Sequence, residues 1–321
     1  MAETLGKFLI DVKEAALGSD VALKALGEST DSGGGFLVPD DTYNGVIEVA
    51  LEDAIVRPRA IVIPTRKMSL PIPTIVDTAH TSTLYGGITP KWEPEAGDYD
   101  EYTPTYGQTF MTLKKLVGYA YISDELLADG GAAAEAATKR IFAKALAFTE
   151  DGAFLTGAGG VKPLGLLNAP GRVTVSKVSG QTAATIYPEN IYKMFCRLFP
   201  SSFNKAVWIG NPNTLPLIFE PTLSISDLLQ EVKLFGRPFI LSEHCKTVGT
   251  EGDFMLADFS NYVVLDGGLS VSYSPYVRYQ YGQGVFRFVL RTDGKPLHAS
   301  AITPENGTDT LSSIVTLETR S

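Results

Sequence analysis

Between Arg57 and Pro104 the chain sets Pro58, Pro64, Pro71, Pro73, Pro90, Pro94 and Pro104 among strand-forming residues such as Ile61, Val62, Ile63, Ile72 and Val76. Proline has no N–H to donate to a neighbouring strand, so strands that carry it belong at sheet edges. The stretch reads as a long, protruding hairpin. Its outgoing arm carries Arg57, Arg59, Arg66 and Lys67, and its returning arm carries Glu93, Glu95, Asp98, Asp100 and Glu101. An exposed two-stranded hairpin is marginal in water without a surface to lie on. Two readings follow: the charges keep a solvent edge from pairing with other chains, or the hairpin is a subunit-contact arm whose opposite charges set register.

The 321 residues allow about two domains, and 44% hydrophobic content is enough for a real core. The formal net charge of -9 argues against a surface built to coat phosphate backbones. Cys196 and Cys245 form no CxxC pair, which leaves neither a disulfide framework nor a zinc site and suggests reduced thiols in a cytosolic protein. Glu3, Asp11 and Glu14 do not fit a secretory leader. The longest apolar runs, such as Tyr262–Leu265, fall far short of the roughly 20 residues a membrane helix needs, so no membrane partner is expected.

Residues 5–17 place Leu5, Phe8, Leu9, Val12 and Ala16 on one side of a helix, with Lys7, Asp11, Lys13 and Glu14 elsewhere. The GESTDSGGG run from Gly27 to Gly35 makes this helix an arm on a flexible linker, either packed on another partner or folded back on its own domain. Gly130-Gly131 is expected to break the chain, and Ala132 to about Glu150 gives the strongest helical pattern. Its apolar face is Ala134, Ala137, Ile141, Ala145 and Phe148, narrow enough to approach a sheet closely. After a turn-rich connection at Gly157–Gly165 come a strand at Val173–Val178, a helix at about Pro188–Phe199 and a buried strand at Ala206–Ile209. Strands are then expected at 255–256, 262–265, 270–273, 276–281, 285–291 and 314–317.

Little in the chain points to catalysis. His80, His244 and His298 form no metal-binding spacing. Gly157-Ala158-Gly159-Gly160 with Lys162 fails the phosphate-loop pattern, since Val161 and Pro163 flank the lysine. No cofactor is implied. His244 beside Cys245 leaves a cytosolic hydrolase open, with Glu243 or Asp253 as the orienting carboxylate, but sequence neighbours in an extended segment point different ways. Tyr276, Tyr279 and Tyr281 suit sheet packing better than base stacking on so negative a chain.

The segments GGGFLVPDD (Gly33–Asp41), the proline-rich hairpin ending in WEPEAGD, LKKLVGYAYISDELLADG (Leu113–Gly130), EDGAFLTGAG, KPLGLL, TIYPENIYKMFCRLFP, AVWIGNP, LFGRPFILSEH, GDFMLADFSNYVV and FRFVLRTDGKP occur in this order over nearly the whole chain. Together they resemble the major capsid proteins of tailed bacteriophages, with the Hong Kong ninety-seven fold. The resemblance implies an α+β fold with an N-terminal arm (1–35), a peripheral-domain start (36–56) and an extended loop (57–110) that overlaps a neighbour. It further implies a peripheral domain with spine helix (111–167), an axial domain (168–265) and peripheral C-terminal strands (266–321). The stretch with Glu220, Asp227, Glu231 and Lys233 would face the capsomer axis.

The function implied is self-assembly through pentamers and hexamers into an icosahedral shell around double-stranded DNA, without sequence-specific binding. Expected partners are other copies, a scaffolding protein or cleaved scaffolding segment, and the portal protein. The place of work would be the virion, after assembly in the host cytoplasm. Some relatives join a loop lysine to an asparagine with help from a glutamate. Lys67 and Lys91 are available as donors here, but Leu290 stands about where the glutamate belongs, so no crosslink is expected. An encapsulin-type compartment shell shares the fold and remains an alternative.

Overall fold

The computed structural model describes residues 36–37, 54–81, 84–95, 97–98, 100–219 and 233–320. The expected N-terminal helix and its linker lie outside these residues, as do Glu220, Asp227 and Glu231. In chain order the chain forms β1 (Phe36–Leu37), β2 (Ile61–Pro64), β3 (Ser69–Ile75), β4 (Tyr106–Thr112), β5 (Lys114–Ser123) and helix α1 (Asp124–Thr156). Then follow β6 (Val173–Val175), α2 (Pro188–Cys196), β7 (Val207–Gly210), α3 (Leu215–Phe219), β8 (Lys233–Leu234) and β9 (Arg237–Leu241). The last strands are β10 (Phe254–Ala257), β11 (Tyr262–Arg278), β12 (Gln283–Pro296) and β13 (Ile314–Leu317). Two compact units result, one from residues 1–58, 113–150 and 266–292, the other from 59–112, 151–265 and 293–321.

In the first unit β1, β11, β12 and β5 lie side by side. β5 and β12 pair antiparallel from Gln283↔Ser123 to Thr292↔Lys114. Strand side chains alternate between faces, which puts Phe286, Phe288 and Leu290 on the buried face and leaves Val117, Tyr119 and Tyr121 exposed on the other. Phe142 of α1 stacks on Phe288 with ring centroids 3.7 Å apart. Gly118 makes room for it, because a Cβ there would come within 3.2 Å of the Phe142 ring. The strands expected separately at 262–265 and 270–273 are one strand, β11, and Tyr279–Tyr281 is a 3-10 turn instead of strand. Gly282 closes that turn at φ 58, in the left-handed region that favours glycine.

Helix α1 corrects two expectations. It spans 33 residues and passes straight through Gly130-Gly131; the glycines cost roughly 1 kcal/mol each relative to alanine, too little to end a helix anchored elsewhere by packing. Its buried side near the end of the unit is Leu146, Ala147 and Glu150. Ile141, Ala145 and Phe148, expected against the sheet, face outward. The helix carries two apolar stripes at helical spacing, and spacing alone does not say which one meets the core.

One buried ion cluster joins three distant segments of this unit. The Arg57 guanidinium donates from Nε to Glu150 Oε2 at 3.1 Å, from Nη2 to Glu150 Oε1 at 2.8 Å and from Nη1 to Asp266 Oδ2 at 2.7 Å. Burial works against the charge on Arg57, and the hydrogen bonds and charges of Glu150 and Asp266 outweigh it, so its pKa is raised above the ordinary arginine value.

In the second unit six strands take the order β6-β13-β10-β7-β9-β8. The sheet is mixed: β6 with β13 and β7 with β9 are parallel, while β10 is antiparallel to both β13 and β7. The C-terminal strand was expected with the peripheral strands; it lies instead between β6 and β10. Its burial pattern explains the placement, since all four residues of Ile314–Leu317 are buried, as a central strand requires. Trp208 stacks on Phe254 at 4.9 Å, and its indole N–H donates to the Leu234 carbonyl at 3.0 Å. Helix α2 presents Ile191 and Met194 to this core and leaves Tyr192 outside. Arg320 and Asp253, both fully buried, form an ion pair that ties the C-terminal residues into the unit.

Removing one partner of a buried charge cluster leaves the others desolvated and unpaired. Arg57→Ala is expected to destabilise the protein by about 3–5 kcal/mol, measured by urea denaturation. Arg57→Lys, which keeps the charge but cannot make the two-pronged contact with Glu150, is expected to recover only part of it.

Candidate subunit-contact surface

The proline-bearing stretch forms the ribbon the prolines require. Among the described residues β3 and β4 pair only with each other, in the register Ser69↔Thr112 through Ile75↔Tyr106. In an antiparallel pair alternate residues turn their backbone groups toward the partner. Pro71 and Pro73 share a parity, so their missing N–H groups fall on the outer edge, where no partner needs them. That edge is a poor template for a further strand.

Side chains divide between the ribbon's faces just as sharply. One face carries Leu70, Ile72 and the fully buried Met111. The other sets Pro71 across from Phe110 and Ile75 across from Tyr106, with Phe110 60% and Tyr106 70% exposed. The base is held within its own unit: Thr112 N–H donates to Asp293 Oδ2 at 3.1 Å, and Lys295 Nζ donates to the Phe110 carbonyl at 2.6 Å. The connecting loop is also fastened, through His80 N–H to the Thr303 carbonyl and Thr303 N–H to the Thr78 carbonyl, both at 3.0 Å. The hairpin expected to protrude is thus tied to its own chain at both ends, and what it offers outward is a face.

Arg59, Arg66 and Lys67 are exposed, as are Glu93, Glu95, Asp98, Asp100 and Glu101. Arg57 is the exception among the candidate contact residues: at 6% exposure it belongs to the internal cluster with Glu150 and Asp266. The acidic arm pairs partly with itself, since Lys91 Nζ lies 2.7 Å from Glu93 Oε1 and 2.9 Å from Asp100 Oδ2. The hydrogen bond from Lys91 is the main reason the Asp100 carboxyl sits below its ordinary pKa, with a further contribution from the Tyr102 hydroxyl. Of the residues expected at the capsomer axis, Lys233 is exposed on the two-residue edge strand β8. The sequence reading missed Trp92, Tyr106 and Phe110, all exposed aromatics of this region. A signal was present for two of them, because Tyr106 and Phe110 share a strand parity.

The alternative catalytic pair lacks an activated nucleophile. Burial, with the Asp253 charge adding to it, pushes the Cys245 thiol up to about 12. Asp253 itself is committed to Arg320 and to the Gly249 N–H at 2.8 Å. His244 packs on α1, where a Cβ on Gly152 would meet its Nδ1 at 2.8 Å. Among the described residues no group of three or more His, Cys, Asp or Glu side chains is placed to hold a metal ion, and no helix is long and apolar enough to cross a membrane. Leu290 is buried across from Leu116 in the β12–β5 pair.

The phage capsid family matches residues 34–306. This chain belongs to the phage capsid family. Solved structures agree with it at the level of fold. The capsid of an empty GTA particle aligns with a TM-score of 0.64 at 18% identity, covering 95% of this chain and 99% of that one. A structure from Mycobacterium phage Adephagia aligns with a TM-score of 0.56 at 10% identity, covering 94% and 97%. A virus-like particle from Pyrococcus furiosus aligns with a TM-score of 0.50 at 14% identity, covering 87% and 98%. No curated protein matches the chain. The capsid subunit is therefore an α+β structural protein.

The two thiols offer a direct check of burial in the subunit. Cys196 is exposed and Cys245 buried, so at about pH 8 a thiol reagent is expected to label Cys196 in the native subunit and Cys245 only after denaturation. Mass mapping of labelled peptides reads the outcome.

Proposed function

We propose that this chain is the major capsid protein that assembles, through pentamers and hexamers, into a closed icosahedral shell around double-stranded DNA. The observation that carries the reading is the ribbon of a capsid-family chain: two strands that, among the described residues, pair only with each other, with an aromatic and proline face left exposed. A two-stranded ribbon is marginal alone, and a second copy of the chain is the partner that a shell supplies. Arg59, Arg66, Lys67, Glu93, Glu95, Asp98, Asp100 and Glu101 are the contact charges of this surface, and Lys233 lies in the segment that approaches the capsomer axis.

The working principle is repetition. Each contact is modest, but a closed symmetric assembly engages all of them at once, so weak interfaces add up to a stable shell. The net charge of -9 suits a container that must not grip the genome it holds. A scaffolding protein or segment and the portal are the further partners, with assembly in the host cytoplasm and the virion as the final location. Catalysis has no part in this function.

Size-exclusion chromatography and negative-stain microscopy at low and high salt test the reading. Hollow shells, rings or capsomers that weaken as salt rises are expected, since exposed ion pairs are screened. A strictly monomeric chain at every concentration and salt, together with a hydrolytic turnover abolished by Cys245→Ala, would overturn it. The double variant Tyr106→Asp/Phe110→Asp is expected to abolish assembly while changing subunit stability by no more than about 0.5 kcal/mol, because both side chains are exposed in the isolated subunit.

A further inference from the structure

The loop between Ile302 and Leu311 is pinned at its neck and open at its tip. Ile302 and Leu311 exchange N–H to carbonyl hydrogen bonds in both directions, each at 2.8 Å. Beside the neck, Arg197 Nη2 lies 2.8 Å from Asp309 Oδ1, and Arg197 Nη1 donates to the Thr310 carbonyl at 3.1 Å. Glu305, Asn306, Gly307, Thr308 and Asp309 are exposed. Gly307 stands at φ 116, in the region that favours glycine, and a methyl group added there would meet nothing nearer than Pro304 Cγ at 3.9 Å.

The side-chain amide of an asparagine is open to attack by the backbone nitrogen of the next residue. The reaction needs that nitrogen unhindered and not committed to a hydrogen bond. Other asparagines among the described residues fail this requirement. The N–H that follows Asn168 donates to the Leu166 carbonyl at 3.2 Å, the one after Asn204 to Ser202 at 3.0 Å and the one after Asn213 to Asn211 at 2.9 Å. The N–H after Asn261 donates to the Phe259 carbonyl. Asn190 is fully buried within helix α2, and Asn211 precedes Pro212, which has no N–H. At Asn306 the attacking nitrogen belongs to Gly307. Neither that nitrogen nor the Asn306 side chain has a hydrogen-bond partner among the described residues.

We propose that Asn306 is a site of self-modification, converted in the native subunit by the Gly307 nitrogen and water to aspartate or isoaspartate. Hydroxide removes the Gly307 amide proton, and the nitrogen bonds to Asn306 Cγ. The Cγ–Nδ2 bond breaks, and the side-chain nitrogen takes a proton from water and leaves as ammonia. Water then opens the cyclic imide at one of its two carbonyls. One opening restores the backbone with an aspartate, and the other routes it through the former side chain as isoaspartate. Each event adds one negative charge to a chain whose formal net charge is -9, in a loop that already holds Glu305 and Asp309. Like charges at this spacing repel, so older copies carry a more negative loop beside Arg197. The conversion takes place within one subunit and does not depend on the shell reading.

Ageing of the purified full-length chain tests it, with tryptic peptides weighed against an unaged blank. Residues 292–320 form one such peptide, because proline follows Lys295, and Asn306 is its only amide side chain. The chain's other Asn-Gly pair, Asn44-Gly45, falls in a different peptide. Conversion of Asn306 is expected to run at least about tenfold faster than that of Asn204 or Asn213, whose following amides are held. Its rate should rise about tenfold per pH unit, as the ionised fraction of a very weak acid does. It should also stay within about tenfold of the rate in the isolated peptide 292–320, since the loop leaves the nitrogen open. A native rate below that range would overturn the proposal, and so would conversion no faster than at Asn213. Asn306→Gln is expected to leave the mass of its peptide unchanged on ageing; a remaining gain would overturn the assignment.

Discussion

The cluster of Arg57, Glu150 and Asp266 is the constraint on which the first unit depends. One guanidinium satisfies two carboxylates taken from segments 93 and 209 residues away. Such a cluster is intolerant of partial disruption, because each member is left desolvated when another goes. Three segments of this one unit are thus joined by a single side chain whose charge burial alone would oppose. A hydrophobic triad would hold the same segments with less demand on direction; five fixed N–H donors impose an arrangement as well as a contact.

Much of the fold was legible because its signals are local. Pro71 and Pro73 announce an edge whatever surrounds them, and β13 was expected at 314–317 and is found at Ile314–Leu317. What could not be read was partnership. The sequence does not say that Ile314–Leu317 sits between β6 and β10, because strand order is decided by contacts between residues far apart in the chain. Helix α1 departed from expectation for a related reason: its alanine-rich stripe has helical period and a narrow profile, but the side that carries Phe142 and Leu146 is the one that packs.

The candidate surface divides along the same line. Charged residues of the loop were found by composition, and most lie where solvent or another chain can reach them. Arg57 was grouped with them by its neighbours in sequence, yet Glu150 and Asp266 claim it. Tyr106 and Phe110 were not among the expected contact residues. Only the register, which places them with the prolines on one face, sets them outside. The buried thiol of Cys245 makes the converse point. Its neighbour His244 invites a catalytic reading, and the environment of the sulfur removes it.

The placement of Pro71 and Pro73 determines what kind of joint the ribbon can make. An edge with a full set of amides would lock onto a neighbour through ladder hydrogen bonds, whose direction admits little rotation. With those donors missing, the outward face of the ribbon offers Phe110, Tyr106 and the proline rings instead, and apolar contacts are not directional. A surface of this sort turns by a few degrees without breaking. Where identical subunits must close around corners of unequal sharpness, a swivel does what a weld could not.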